Sequence, residues 1–349
     1  MRVVHLISST DRRGAQVFAS QLVNHLGGPP NHELLAIASG TASKTLDVDV
    51  LGTSRTSTSG LLKLVRMTRS ADLLIAHGSD ALLHAAISSP IHRRPFIYRN
   101  IGDPATWGAV KAANLRIGAP LRKAAAVSAL FPKARDYLID SYSLDPARVA
   151  TIPNGVPLIA KPTPEDRAIS RRDFGLSDGL TWVGFIGSLS PEKGVLNAIK
   201  AIASTDELSL VIAGSGPQDQ EARSLANEIA PGRVTFVGTT DRPLDLIAGV
   251  DVVVIPSRTE GIPAAAIEAG LCGVPVVATN VGGVSEAVLN NMTGVLVESA
   301  EPATLADAIR QVAQRRAQLG AAARRHCVER FSMDRVADEW SDLINSTLR

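Results

Sequence analysis

Short runs rich in Val, Ile and Leu recur along the chain, at 2–7, 33–38, 72–76, 95–99, 124–128 and 149–152. They continue at 181–186, 209–213, 233–237, 250–255, 274–278 and 294–297. Between them lie stretches with helical patterning, for example 14–26, 60–70, 192–204, 217–230 and 303–318. Near-continuous apolar runs alternating with helices are what parallel strands require when helices cover both faces of a sheet. About six strands precede residue 155 and six follow it, so the pattern predicts two doubly wound α/β domains. The seam is expected in 156–166 (VPLIAKPTPED), where three prolines interrupt any helix. The expected divisions are 1–157, 158–330 and a last helix within 331–349.

The chemistry concentrates in 257–279, SRTEGIPAAAIEAGLCGVPVVAT. It follows one apolar strand, leads into another, and holds a short helix with legible ends. Pro263 suits a first helical turn, where its missing N–H costs nothing, and Gly273 then Pro275 give the stop. Free N–H groups at such a helix start attract phosphate through hydrogen bonds and the helix dipole. Glu260 stands in the loop before the helix, beside whatever that phosphate carries. Glu268 lies about one and a half turns into the helix and can accept hydrogen bonds from a vicinal diol. A sugar nucleotide has those parts in that order: hexose, diphosphate, ribose.

Glu260 and Glu268, in an E-G-x-P…E-A-x-x-x-G-x-P-V-V-A frame, resemble the E-x7-E signature of retaining glycosyltransferases of the family 4 type (glycosyl transferases group 1). The resemblance implies the GT-B fold, two Rossmann-like domains facing across a cleft, with the helix Met333–Leu348 crossing back onto the first. Other motifs agree. The stretch 185–194, FIGSLSPEKG, is similar to the family's G-R-L-x-x-x-K-G, keeping Lys193 but placing Ser188 where relatives have Arg. One charge-assisted contact of roughly 1.5–3 kcal/mol would then be absent, unless Arg12, Arg13 or Arg258 supplies it. The turn 213–217, AGSGP, resembles G-x-G-P, and 282–286 (GGVSE) resembles G-G-x-x-E. The stretch 151–156, TIPNGV, resembles the I-P-N-G-V that closes the first domain; its Asn154-Gly155 pair suggests a tight turn with left-handed backbone angles, a hinge and crevice wall.

By this resemblance, Glu260 binds donor-sugar hydroxyls and Lys193 carries the leaving charge. Glu268 holds the ribose, and the backbone at Gly261, Ile262 and Pro263 holds phosphate and sugar, Pro263 itself having no N–H. Gly14, in a loop similar to the family's G-x-Q, comes close to the diphosphate with Ser188 and Gly216. His77 ends the third expected strand, where doubly wound sheets place ligands. Relatives often have a histidine near the next strand end, but this chain has Arg99 and Asn100, which could serve sugar or acceptor. Asp103 and Asn154 complete the acceptor-side candidates. His5, inside the first strand, reads as a core or crevice-lining residue.

Composition narrows the alternatives. With 349 residues, 45% hydrophobic and 20% charged, the chain suits a soluble protein with two cores. A net charge of +2 makes no case for nucleic acid. Cys272 and Cys327 make neither a disulfide framework nor a metal site, and a cytoplasmic location is expected. No stretch approaches the roughly 20 apolar residues of a membrane span. Asp47-Val48-Asp49 spells D-x-D, but its carboxylates alternate with valines like the outward side of a strand, so no obligatory metal is expected, and no cofactor. The helical stretch 60–70 mixes Leu with Lys and Arg, and so does 121–138. Such a basic face suits peripheral contact with anionic lipid and a lipid-linked acceptor, though an ordinary half-buried surface helix has the same pattern. A dehydrogenase lacks support, because AGSGP has no third glycine of a dinucleotide fingerprint. A sugar-nucleotide epimerase or hydrolase, or a catalytically silent sugar-nucleotide-binding subunit, stays open because of Ser188.

Overall fold

The structure is a computed structural model that describes residues 1–29, 31–41, 45–107 and 117–349. It divides into two compact units, Met1–Pro157 with Ser332–Arg349, and Leu158–Phe331.

The first unit is built on a seven-stranded parallel sheet: β1 (Val3–Ser9), β2 (His32–Ala38), β3 (Asp49–Gly52), β4 (Leu73–His77), β5 (Phe96–Arg99), β6 (Ala126–Ala129) and β7 (Val149–Thr151). The strand order is β3-β2-β1-β4-β5-β6-β7. β1 is central, with Val3 opposite both His32 and Leu73. The chain winds outward from β1 and then crosses back to β4 on its other side, so the winding reverses between β1 and β4. Ligands of such sheets sit outside the carboxyl ends of the strands at this reversal.

The second unit repeats the plan with β8 (Thr181–Ile186), β9 (Leu208–Ala213), β10 (Val234–Gly238), β11 (Val252–Ile255), β12 (Val276–Thr279) and β13 (Gly294–Val297), in the order β10-β9-β8-β11-β12-β13. Here the reversal lies between β8 and β11. Branched residues such as Val183, Leu210, Val254 and Val277 fill the core against Ile199 and Ile309 of the covering helices.

Three details depart from the pattern in the sequence. The first sheet has a seventh strand, β3, four residues long and only partly buried, so it lacks the apolar run that marked the others. The expected helix 192–204 is broken at Gly194, whose φ of 72° cannot continue a helix; a 3-10 turn Pro191–Lys193 precedes it and a helix Val195–Ala203 follows. The expected helix 303–318 ends at Gln314, and a separate helix Arg316–Phe331 begins beyond Arg315.

The terminal helix Met333–Leu348 belongs to the first unit. Met333, Val336, Ala337, Trp340 and Ile344 are buried, a spacing that lines one face of a helix. They pack with Val3, Phe18, Leu22, Leu73 and Ile97. The Met333 N–H donates to the Val156 carbonyl at 3.0 Å, which sets where the helix begins. Gly155 is needed here for space: a β-carbon on it would lie 2.9 Å from Val336 Cβ. It does not have the left-handed backbone that the Asn-Gly pair suggested, for neither Asn154 nor Gly155 has positive φ.

Trp340 is the largest fully buried side chain. Trp340→Ala is expected to destabilise the first unit by about 3–5 kcal/mol through lost burial and the cavity left behind. Calorimetry should show its melting transition moved down while that of the second unit stays in place.

Candidate functional site

In the second unit, the loops after β8, β11 and β12 meet at the carboxyl end of the sheet. Gly194 sits against the loop after β11, where a β-carbon would lie 2.2 Å from the Pro256 carbonyl oxygen. Only glycine permits that approach with positive φ. The Arg258 N–H donates to the Glu192 carbonyl at 2.8 Å, and the Gly283 N–H to the Gly261 carbonyl at 2.8 Å. The Thr279 hydroxyl donates to the Ser257 carbonyl. These backbone contacts place Lys193, from the first loop, beside Glu260, from the second.

The two side chains form an ion pair. Lys193 Nζ reaches both carboxylate oxygens of Glu260, at 2.7 and 2.8 Å, and the Ser257 hydroxyl donates to Oε1 at 2.7 Å. Glu260 is only 8% exposed, so its charge depends on these donors. A carboxylate has about four acceptor positions and an ammonium has three donors. Among the described residues, one acceptor position and one N–H therefore remain for a ligand. The sequence assigned Lys193 to a diphosphate and Glu260 to a sugar; the structure joins the two before any ligand arrives.

The helix Ala264–Leu271 starts directly after this loop, with Pro263 at its N-cap and no side-chain cap. The Ala266 and Ile267 N–H groups donate to the Pro263 carbonyl, at 3.0 and 3.4 Å, which leaves those of Ala264 and Ala265 for another acceptor among the described residues. Glu268 lies in the same helix, half-buried, and burial pushes its carboxyl up to about 7. No hydrogen-bond donor contacts that carboxyl among the described residues, which is the condition a diol would relieve.

The loops after β8 and β9 also pack backbone to backbone. A β-carbon on Gly214 would lie 1.8 Å from the Gly187 carbonyl oxygen, and one on Gly216 2.4 Å from that of Leu189. Both glycines of the G-x-G turn are therefore demanded by packing. Ser188 is exposed between them, and Arg258, also exposed, is the candidate cation whose backbone is bonded next to Lys193. Arg12 and Arg13 lie in the first unit.

The candidates of the first unit separate into three groups. Gly14 opens the helix Gly14–His25, and a β-carbon there would meet nothing within 4 Å, so nothing in the fold demands glycine. Asp103 caps a 3-10 turn, Pro104–Trp107, by accepting from the Ala105 N–H at 3.0 Å. The remaining residues form a buried polar chain. Arg99 donates to His77 Nδ1 at 3.4 Å and to the Asn154 side-chain oxygen. His77 Nε2 lies 3.2 Å from His5 Nδ1, and His5 Nε2 lies 3.1 Å from His32 Nδ1.

This chain has a direction. A guanidinium only donates, so His77 Nδ1 must accept and the His77 proton sits on Nε2. That proton goes to His5 Nδ1, and the His5 Nε2 proton goes to His32 in turn. Burial, with Arg99 next, holds His77 well below its usual pKa, and burial with His32 lowers His5 to about 3. Among the described residues no carboxylate pairs with Arg99; it lies 4.0 Å over the Phe18 ring, and burial lowers it to about 9, so it remains charged at neutral pH. Asn100 and the Ser128 hydroxyl, next to Arg99 in the sheet, are wholly buried. Sequence patterning singled out His77, Arg99, Asn100 and Asn154 but not His32; a histidine opening an apolar strand was its only signal.

Residues 166–328 match the family described as glycosyl transferases group 1. The D-inositol 3-phosphate glycosyltransferase of Geodermatophilus obscurus is 36% identical over 222 residues, covering 58% of this chain and 48% of that protein. A GDP-mannose-dependent monoacylated alpha-(1-6)-phosphatidylinositol monomannoside mannosyltransferase of Corynebacterium glutamicum is 30% identical over 216 residues, covering 57% of this chain and 56% of that protein. The chain thus spans about half the length of these curated relatives. The crystal structure of HepE from Anabaena in complex with UDP-glucose matches 99% of this chain and 100% of its own, with a TM-score of 0.89 and 24% identity. Sucrose-phosphate synthase from Thermosynechococcus elongatus matches 99% of each chain with a TM-score of 0.82 and 21% identity. These likenesses show the fold that the sequence motifs implied, the GT-B fold of two Rossmann-like units.

The polar chain makes a prediction about acid. His5 ordinarily titrates near 6.5 but stays neutral in the fold down to about 3. The unfolded chain then binds the extra proton across that window, so the stabilisation is complete above about 6.5 and is lost as pH falls. Urea unfolding of the first unit should show stability declining below about pH 6.5. Nitrogen NMR at neutral pH should find the proton on Nε2 in His5, His32 and His77; a proton on Nδ1 of His77 would contradict the direction assigned by Arg99.

Proposed function

We propose that this chain, whose second unit is a glycosyl transferases group 1 domain, transfers a hexose-type sugar from a nucleoside diphosphate sugar to an acceptor, keeping the anomeric configuration. The observation that carries this reading is the arrangement at the reversal between β8 and β11. There the Lys193–Glu260 pair keeps one donor and one acceptor in reserve, before a helix start that lacks a side-chain cap.

The N–H groups of that start and Lys193 would hold the diphosphate, with Arg258 supplying the charge that Ser188 lacks. The remaining lone pair of Glu260 would accept from a donor-sugar hydroxyl. Glu268 would accept from the ribose diol, replacing the bonds it lacks without a ligand. In the reaction the acceptor oxygen bonds to the anomeric carbon as the bond from that carbon to the diphosphate oxygen breaks. The acceptor proton passes to the leaving diphosphate on the same face. Charge stabilisation and positioning are then the work of the protein, without a metal or other cofactor. Arg99, Asn100, His77 and Asn154 would border sugar and acceptor.

The UDP-glucose of HepE and the GDP-mannose dependence of the Corynebacterium protein support a uridine or guanosine diphosphate hexose as donor. The inositol phosphate and phosphatidylinositol glycoside in the relatives' names support a glycan, polyol phosphate or lipid-linked acceptor.

Calorimetry with UDP-glucose and GDP-mannose tests the donor site. One of them should bind, and Glu268→Ala should weaken it about tenfold or more, as expected for lost bonds to a charged group. Because the diol favours the ionised carboxylate, wild-type affinity should rise with pH through about 7, and Glu268→Gln should abolish that rise. Failure of both sugar nucleotides to bind would overturn the assignment.

A further inference from the structure

The polar chain of the first unit makes three contacts in a row: Arg99 with His77 at 3.4 Å, His77 with His5 at 3.2 Å and His5 with His32 at 3.1 Å. Each contact needs one donor and one acceptor. A guanidinium only donates, and a neutral imidazole donates once and accepts once. Three neutral rings therefore supply three acceptors for three contacts, and the chain closes without conflict. A proton added to His32 turns both of its nitrogens into donors. Two acceptors, one on His5 and one on His77, must then serve three contacts. Shifting ring protons from one nitrogen to the other moves the conflict along the chain and does not remove it.

The two ends of the chain differ. His32 opens β2 at the amino end of the sheet and keeps 5% exposure, whereas His5 has none. Arg99 closes β5 at the carboxyl end, where such sheets take ligands. Its contact with His77 is the longest of the three, and Arg99 is the one member with another acceptor at hand. Ser128 lies opposite it in register, and the Ser128 hydroxyl and Arg99 Nε are both buried without a hydrogen-bond partner among the described residues. The conflict therefore settles at Arg99.

Among the described residues no carboxylate is hydrogen-bonded to a ring of the polar chain, so an added proton brings an uncompensated charge. β2 packs against β1, β3 and the helix Gly14–His25. The charged groups there are Asp49, exposed on β3, and His25, which pairs with Asp334 of the terminal helix at 2.9 Å. Glu33, next to His32 in β2, pairs with Arg2 at 2.7 Å. On the terminal helix, whose Trp340 ring lies 6.2 Å from that of His77, Glu339 receives Arg335 at 3.1 Å, and Asp338 and Asp342 are exposed. Burial, and then the Met1 amino group, lowers the affinity of His32 for a proton, so uptake falls below its usual value of 6.5.

We propose that His32 is a positioning residue for Arg99, acting through His5 and His77. Neutral His32 holds the guanidinium on His77; a proton taken up by His32 at the amino end of the sheet releases it at the carboxyl end. The coupling is reciprocal. An anionic group that draws Arg99 away from His77 raises the affinity of His32 for its proton, by the factor by which that proton raises the affinity for the anion. The functional consequence rests on the sugar-transfer reading, in which Arg99 borders sugar and acceptor. The coupling between His32 and Arg99 does not.

Nitrogen NMR of protein labelled in histidine and arginine tests the coupling by titration from about pH 8 to about pH 5. In the wild type, the His32 Nδ1, His77 Nδ1 and Arg99 guanidinium signals should move with one midpoint while circular dichroism stays unchanged. In His32→Asn the amide oxygen takes the place of Nδ1 as an acceptor that binds no proton. That variant should keep the His77 proton on Nε2 at neutral pH and lose the titration at His77 and Arg99. A His77 signal that stays still while His32 titrates would overturn the proposal, and so would a His77 titration that persists in folded His32→Asn. His32 remaining neutral until the fold is lost would overturn it too, from the wild type alone. These signals need no sugar nucleotide. Donor binding by calorimetry, expected to be unchanged in His32→Asn, reports on the sugar-transfer reading separately.

Discussion

The candidate donor site depends on one close approach, the backbone of Gly194 against the Pro256 carbonyl. It brings the loop after β8 onto the loop after β11 on opposite sides of the winding reversal. Lys193 and Glu260, 67 positions apart in the chain, can then share both carboxylate oxygens. A side chain at 194 would meet a carbonyl carbon and oxygen that cannot move without disturbing Pro256 and Ser257. The Ser257 hydroxyl, the third donor to Glu260, would shift with them. One missing methyl group thus maintains a buried carboxylate held by three hydrogen bonds.

The first unit meets a different constraint, a charge buried without a carboxylate. Arg99 is 1% exposed, and its charge rests on the Phe18 ring, the Asn154 side-chain oxygen and the lone pair of His77. Such an environment holds a guanidinium because it stays protonated even when burial lowers its affinity for the proton. A lysine there would lose its charge more readily, and the order of donors along His77, His5 and His32 would no longer be imposed. The chain joins β1, β2, β4 and β5 to the loop after β7, so a local donor rule reaches across most of the sheet.

The two sides of that sheet have different surroundings. The terminal helix covers one side with a buried tryptophan and a fully polar exterior. On the other side, the helices Thr58–Thr68 and Ser79–His92 keep Leu62, Leu83, Ile87 and Ile91 exposed. A sheet needs both faces covered but places no condition on the outside of the covering layer.

Much of this was legible along the chain, because alternation of apolar strands and helices is a local property. Twelve of the thirteen described strands stood out in it as apolar runs, and the terminal helix and the helix start after Pro263 were visible too. The frame from Glu260 to Glu268 was visible too, since its spacing on one loop and one helix is fixed by 1.5 Å per residue. What sequence could not show depends on contacts between distant segments. β3 is short and half-exposed; the Asp and Val alternation marked a strand side there, but only its pairing shows it as the edge strand beside β2. Asn154-Gly155 was read as a tight-turn pair, whereas Gly155 is needed because the terminal helix occupies the space a side chain there would fill. Lys193 and Glu260 were assigned separate tasks because their pairing arises only when two loops meet. His32 became part of a polar chain only because strand register put it beside His5. Local spacing determined which elements form and where the chemistry lies; tertiary packing decided which polar groups satisfy one another and which are left for a ligand.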